Sequence, residues 1–177
     1  MATQRILDFL ATRQPEGPCL VVDLDVVQDN YRAFEKALPD SAIYYAVKAN
    51  PAPEILRLLV ALGSCFDTAS VAEIEMALDA GAQPDAISYG NTIKKERDIA
   101  RAFELGVRLF AVDCVEEVEK VARAAPGSHV FCRVLTDGEG AEWPLSRKFG
   151  CVPDMAVAVL RHAVRSGLRA HGVSFHV

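Results

Sequence analysis

Apolar and polar positions along the chain follow two alternating periods. Short runs rich in β-branched and aromatic residues each predict a buried strand. They are Ile43-Tyr44-Tyr45-Ala46-Val47, Cys65-Phe66-Asp67, Ile87-Ser88-Tyr89, Leu109-Phe110-Ala111-Val112, Val130-Phe131-Cys132-Arg133-Val134-Leu135 and Val173-Ser174-Phe175. The first five begin 21 or 22 positions apart, and the last interval is about twice as long. Between them lie stripes of helical period. Val27, Tyr31, Phe34 and Leu38 mark the first, and Ile55, Leu58, Leu59 and Leu62 the second. Ser70-Val71-Ala72-Glu73 is a capping box that opens the third. Ile99, Ala102 and Phe103 line the fourth, Val118, Val121 and Ala122 the fifth, and Met155, Val159, Leu160 and Ala163 the sixth. Gly63, Gly81 and Gly106 follow three of these helices, where a left-handed cap favours glycine.

Strict alternation of strand and helix predicts a parallel sheet covered by helices. Two architectures satisfy it, an open doubly wound sheet and a (β/α)8 barrel. Neither G-x-G-x-x-G nor G-x-x-x-x-G-K-[ST], the loops by which an open sheet usually grips a nucleotide, follows the first strand. A barrel needs eight strands, and six are legible. The long last interval holds a loop, residues 137–144, of a length that is often functional. Residues 1–22 read as an N-terminal extension with a strand, and 23–177 as one alternating domain, an incomplete barrel if the second architecture holds.

Composition narrows the function. A chain of 177 residues with 51% hydrophobic and 24% charged content can build a core, and disorder is excluded. A net charge of -5 argues against nucleic acid or an anionic membrane surface as partner. Aromatic content of 7% leaves little for base stacking. Five cysteines without a CxxC pair fit buried small hydrophobes in a reducing compartment. The first residues lack a signal-peptide core, and no run reaches the roughly 18 apolar residues of a membrane span. The expected location is the cytoplasm.

In a parallel barrel, chemistry gathers where the strands end. Here those ends carry Lys48, Asp67, Gly90-Asn91, Asp113, Thr136-Asp137 and His176. Strands always give way to polar loops, so any one of these positions is more often a cap or a turn. Lys48 stands apart because it closes an apolar strand. Partial desolvation there would free its amine as a nucleophile toward aldehydes. The plainer reading is a lysine that snorkels at a strand end. His176 could stack on a ring or shuttle a proton, although a lone histidine is more often a packed one. The four histidines lack ligand spacing, so no zinc site is expected. Glu73 already has a capping task.

The segment Tyr44-Tyr45-Ala46-Val47-Lys48-Ala49-Asn50-Pro51 resembles the cofactor-lysine motif of the fold-type III pyridoxal-phosphate-dependent decarboxylases, which share the alanine racemase barrel. This group acts on ornithine, lysine, arginine and diaminopimelate. Four further segments follow in the family's order: 66–74, 87–95, 145–150 and 172–177. Their variants are most similar to the ornithine-specific members.

The resemblance implies an alanine racemase-like (β/α)8 TIM barrel, truncated after its sixth strand and without the family's C-terminal β-domain. Lys48 would hold pyridoxal 5'-phosphate covalently, and His176 would stack on the cofactor ring. Asp67 and Glu73 would lie close to the lysine, with Arg133 bracing the rim. Arg147 and Lys148 fall in the loop motif, where Pro144 departs from the arginine of animal-type members. The implied activity is decarboxylation of L-ornithine to putrescine by a homodimer. A non-catalytic binding homologue, or a lysine or diaminopimelate decarboxylase, are the alternatives. The family's phosphate-binding loop, its pyridine-nitrogen partner and its product-protonating cysteine have no counterpart in residues 1–177. The chain by itself is therefore expected to be inactive.

Overall fold

The computed structural model describes residues 2–136 and 148–176. Six strands form one parallel sheet: β1 Tyr44–Ala46, β2 Cys65–Thr68, β3 Ile87–Tyr89, β4 Leu109–Val112, β5 His129–Arg133 and β6 Arg169–Ser174. Their order in space is their order in the chain. A doubly wound sheet would reverse direction at a switch point, and this one never does. Right-handed crossovers in a single direction place every connecting helix on the same face, which is barrel winding.

The helices are α1 Gln4–Arg13, α2 Leu24–Ala37, α3 Pro53–Ala61, α4 Val71–Asp79, α5 Glu96–Glu104, α6 Val115–Ala124 and α7 Pro153–Arg165. Helices α2 to α7 carry the six stripes predicted from the sequence. Gly63, Gly81 and Gly106 have φ of 86°, 103° and 95°, which lets the chain leave α3, α4 and α5 through left-handed caps.

The core lies between the sheet and these helices. Phe66, Ile87, Phe110, Val112 and Val130 from the strands meet Ile55, Leu59, Ile74, Ile99, Val118, Val121 and Val159 from the helices, all buried. Each large side chain contributes about 1.5–3 kcal/mol on burial. β3 is buried along its whole length, but not every strand is. In β2 and β5 burial alternates residue by residue, so the second face of the sheet stays partly open.

Several boundaries differ from the sequence expectation. The N-terminal extension forms helix α1, capped by Thr3, whose side chain accepts a hydrogen bond from Ile6 N. No strand occurs among its described residues; the apolar stretch 20–22 finds no partner strand. β6 begins four residues before the predicted run, at Arg169. It is an edge strand and mostly exposed, so its pairing with β5 leaves no apolar signature. One extra residue, His171, shifts its register between Val130 and Phe131. The 137–144 loop, Pro144 and Arg147 lie outside the described residues.

Candidate active site

The C-terminal ends of the strands gather the polar residues. β1 stops at Ala46, and the chain turns at once into a 3-10 segment, Val47–Ala49. Val47 is fully buried and anchors this turn. The Tyr45 hydroxyl donates to Asn50 O at 3.1 Å, and Ala52 N donates to Asn50 Oδ1 at 3.1 Å. These bonds fix the turn that carries Lys48. The side chain itself is exposed, so the expected desolvation of this lysine is not met. The turn lifts Lys48 off the strand end, where its charge acts on Asp67.

Asp67 is the third residue of β2, next to Ala46 in register. It faces away from the helices, because its neighbours Phe66 and Thr68 take the buried face. The buried Ser88 hydroxyl donates to Asp67 Oδ1 at 2.7 Å. Loss of water raises the Asp67 carboxyl above its ordinary value; the Ser88 hydrogen bond and the charges of Lys48 and Arg133 oppose that, and Glu73 adds to it. Three of the four other predicted site residues thus act electrostatically on one carboxylate.

Glu73 sits in the first turn of α4 and makes a variant of the predicted capping box, reaching back one residue beyond the N-cap Ser70. Its N–H donates to Ser70 Oγ at 3.3 Å, and one carboxylate oxygen accepts from Ala69 N at 2.7 Å. Arg133 ends β5, with its guanidinium 5.7 Å from the Phe149 ring centre. His176 follows β6 and is exposed; its carbonyl accepts from Thr136 Oγ1 at 2.8 Å. β1 and β6 are the two edges of the sheet, and among the described residues no hydrogen bond or ion pair joins Lys48 to His176. Asp113 takes a structural task, accepting from Gly150 N at 3.0 Å.

Sequence reasoning missed two contributors. Ser88 reads as a weak point in an apolar run, yet it is the direct partner of Asp67. Gly90 reads as a turn residue, yet a Cβ there would lie 2.7 Å from Asp67 Cγ. The sequence signals were the strand-end position of Gly90 and the family-like segment 87–95 that holds both, but neither says that they meet Asp67 across the sheet. On the open face beside them, Tyr44, Ala46, Asp67, Ser88, Phe131 and Ser174 line a hollow of about 460 Å³.

Residues 24–177 match the model of the pyridoxal-dependent decarboxylase family, over its pyridoxal-binding domain. The chain belongs to the pyridoxal-dependent decarboxylases. It is 40% identical over 175 residues to the lysine/ornithine decarboxylase of Selenomonas ruminantium, covering 99% of this chain and 44% of that protein. The chain therefore spans about half the length of the curated relatives it matches. The crystal structure of SrLDC in complex with PLP and cadaverine superposes with a TM-score of 0.88 at 37% identity, over all of this chain and 44% of the other. The lysine/ornithine decarboxylase of Vibrio vulnificus complexed with putrescine gives 0.87 at 31% identity, over all of this chain and 47% of the other. The six strands are thus the N-terminal part of the barrel of these decarboxylases.

The residues of this decarboxylase domain fit pyridoxal phosphate. An aldehyde needs an accessible primary amine, and Lys48 offers one on a rigid turn. A polarised ring with an anionic arm needs a hollow with charges near it; Asp67 lines the hollow described above, and the Arg133 charge acts on Asp67.

Proposed function

We propose that the whole protein decarboxylates a basic amino acid, with L-ornithine as substrate and putrescine, a polyamine precursor, and carbon dioxide as products. We place it in the cytoplasm as a homodimer. No described helix is long and apolar enough to cross a membrane. The observation that carries the reading is the gathering of Lys48, Glu73 and Arg133 around the half-buried Asp67 at the strand ends of a pyridoxal-binding domain.

Bound pyridoxal phosphate supplies an aldehyde for amine capture and an electron sink for loss of carbon dioxide. The chain's own residues do the rest. Lys48 provides the amine that holds the cofactor, and its exposure leaves room for a substrate amine to compete. Asp67 places a negative charge near Lys48 without a direct hydrogen bond to it. Arg133 keeps positive charge at the rim, where an anionic substrate or cofactor group would settle. His176, which follows β6, would cover the cofactor ring with a flat imidazole. Glu73 ties α4 to the loop that follows Asp67 and keeps that loop from shifting.

Lys48→Ala in the full-length gene product tests this. Wild-type protein should take up pyridoxal phosphate with a visible absorption band and keep it covalently after borohydride reduction. The variant should keep none, and carbon dioxide release should fall to background. Rates with ornithine, lysine, arginine and diaminopimelate rank the substrate. A wild-type protein that binds the cofactor and decarboxylates none of the four would defeat the enzymatic reading and favour a binding role.

A further inference from the structure

The floor of the site on β3 consists of Ser88 and Gly90, and both face the Asp67 carboxylate. The Ser88 side chain has one proton to give. Asp67 Oδ1 at 2.7 Å is a much nearer acceptor than Phe66 O at 3.5 Å, so that proton goes to the carboxylate. Gly90 supplies space. A Cβ on it would lie 2.7 Å from Asp67 Cγ and 2.8 Å from Oδ2, and closer still to Oδ1. Its own N–H donates to Thr68 O at 2.8 Å, which locks the strand end against β2. The Thr68 hydroxyl donates to Ser88 O at 2.7 Å and adds a second tie between the same two strands. The carboxylate therefore rests in a slot with one side made of hydrogen-bond donor and the other of missing side chain.

We propose that Ser88 and Gly90 are positioning residues, which hold the Asp67 carboxylate on the β3 side of the cleft and thereby set its charge state beside Lys48. The proposal rests on the reading of Lys48 as the cofactor amine for its functional consequence, and on geometry alone for the rest. The groups that face Asp67 are Tyr44 on β1, Lys48 on the turn after it, Glu73 on α4 and Arg133 on β5. None of these donates a hydrogen bond to it among the described residues, so the donor that favours its ionised form is Ser88. Without the hydroxyl, burial acts with less opposition and the carboxyl holds its proton to higher pH. With a methyl group at position 90, the carboxylate cannot occupy the slot and must swing toward the open cleft.

The test uses the full-length gene product and its Ser88→Ala, Ser88→Thr and Gly90→Ala variants. The Asp67 carboxyl is titrated by carbon-13 NMR, with its signal assigned by Asp67→Asn. In parallel the pH dependence of covalent pyridoxal-phosphate attachment is followed. Ser88→Ala should raise the Asp67 midpoint by about one pH unit, the scale of a hydrogen bond to a charged acceptor. Ser88→Thr keeps a hydroxyl and should restore the midpoint. Gly90→Ala should move the midpoint downward, because the displaced carboxylate regains water. The acid limb of cofactor attachment should follow each shift. A purely structural role would lower melting temperature and total attachment while the midpoints stay put. Midpoints unchanged in both Ser88→Ala and Gly90→Ala would overturn the proposal. Failure of the wild type to attach cofactor would defeat the functional reading instead, and the NMR midpoints would still decide the positioning.

Discussion

Asp67 is held above its ordinary value of 3.8, chiefly by burial. In the acid range the folded protein then keeps a proton that the unfolded chain has already released. Stability accordingly falls as pH rises from 3.8 through the folded value, and the full cost of the buried charge is present above it. Asp67→Asn removes that cost but keeps an acceptor for Ser88. The stability gap between Asp67→Asn and wild type should therefore widen in favour of the variant as pH rises across this window, then level off. Urea unfolding of both proteins between about pH 4 and pH 7 measures it, and a gap that stays constant with pH would contradict it. Asp23 and Glu96 are held low by their partners and titrate identically in both proteins, so they cancel in the difference. Lys48 and Asp67 were legible in the sequence because charged residues that end apolar runs stand out. Ser88 was not, because one hydroxyl in a three-residue strand says nothing about the side chain it meets across the sheet. The exposure of Lys48 was hidden for a related reason: a strand and a 3-10 turn have the same apolar pattern over so few residues.

At the scale of elements, the segment from β3 to α6 is held by a buried charge cluster. The Lys94 side chain is fully buried and Glu117 nearly so. Lys94 Nζ lies 3.0 Å from Glu117 Oε1 and donates to Asn91 O at 2.9 Å and to Ala111 O at 2.5 Å. Lys120 Nζ closes the cluster 2.6 Å from Glu117 Oε2. Burial pulls the Lys94 ammonium below its usual value, and Glu117 acts against that. The cluster fixes the loop after β3, which carries Gly90, to the end of β4. Removing one member of a buried pair leaves an uncompensated charge. Lys94→Met should cost about 3 kcal/mol, the lower end of that range, because Glu117 retains Lys120. The Lys94→Met/Glu117→Gln double variant should recover part of the loss. Chemical denaturation of the two singles and the double gives the coupling, and strict additivity would refute it. The helices themselves were legible, since the stripe of α3 and the capping box of α4 depend only on local periodicity and local hydrogen bonds. β6 was legible only at its end, because an edge strand needs no apolar face to pair. The Lys94 cluster was invisible, since a lysine just ahead of a helix reads as solvated until the topology places α6 against it.

For the whole molecule, the consequence of six strands in sequential order is an open sheet whose edges are β1 and β6. Along the β6 edge, Val157, Val164, Val173 and Phe175 are each at least half exposed. They form one apolar flank next to unpaired strand edges, an arrangement prone to association. The 177-residue chain expressed by itself should therefore elute larger than a monomer, and Val157→Lys with Val164→Glu should shift it toward one. The same openness bears on catalysis. The hollow beside Asp67 is lined from all six strands but stays unclosed between the β1 and β6 edges, and Lys48 is exposed, so water screens the charges around it. A reaction that relies on fixed charge and excluded water runs poorly in such a site. Loss of substrate orientation alone costs roughly 100-fold. With saturating pyridoxal phosphate and ornithine, the 177-residue chain should release carbon dioxide at least that much more slowly than the full-length gene product, while Lys48 still attaches cofactor reversibly. Matched rates for the two forms would show that the open floor, from Lys48 to Arg133, suffices for the chemistry. Slow turnover with retained attachment would place the missing rate in whatever encloses the cleft.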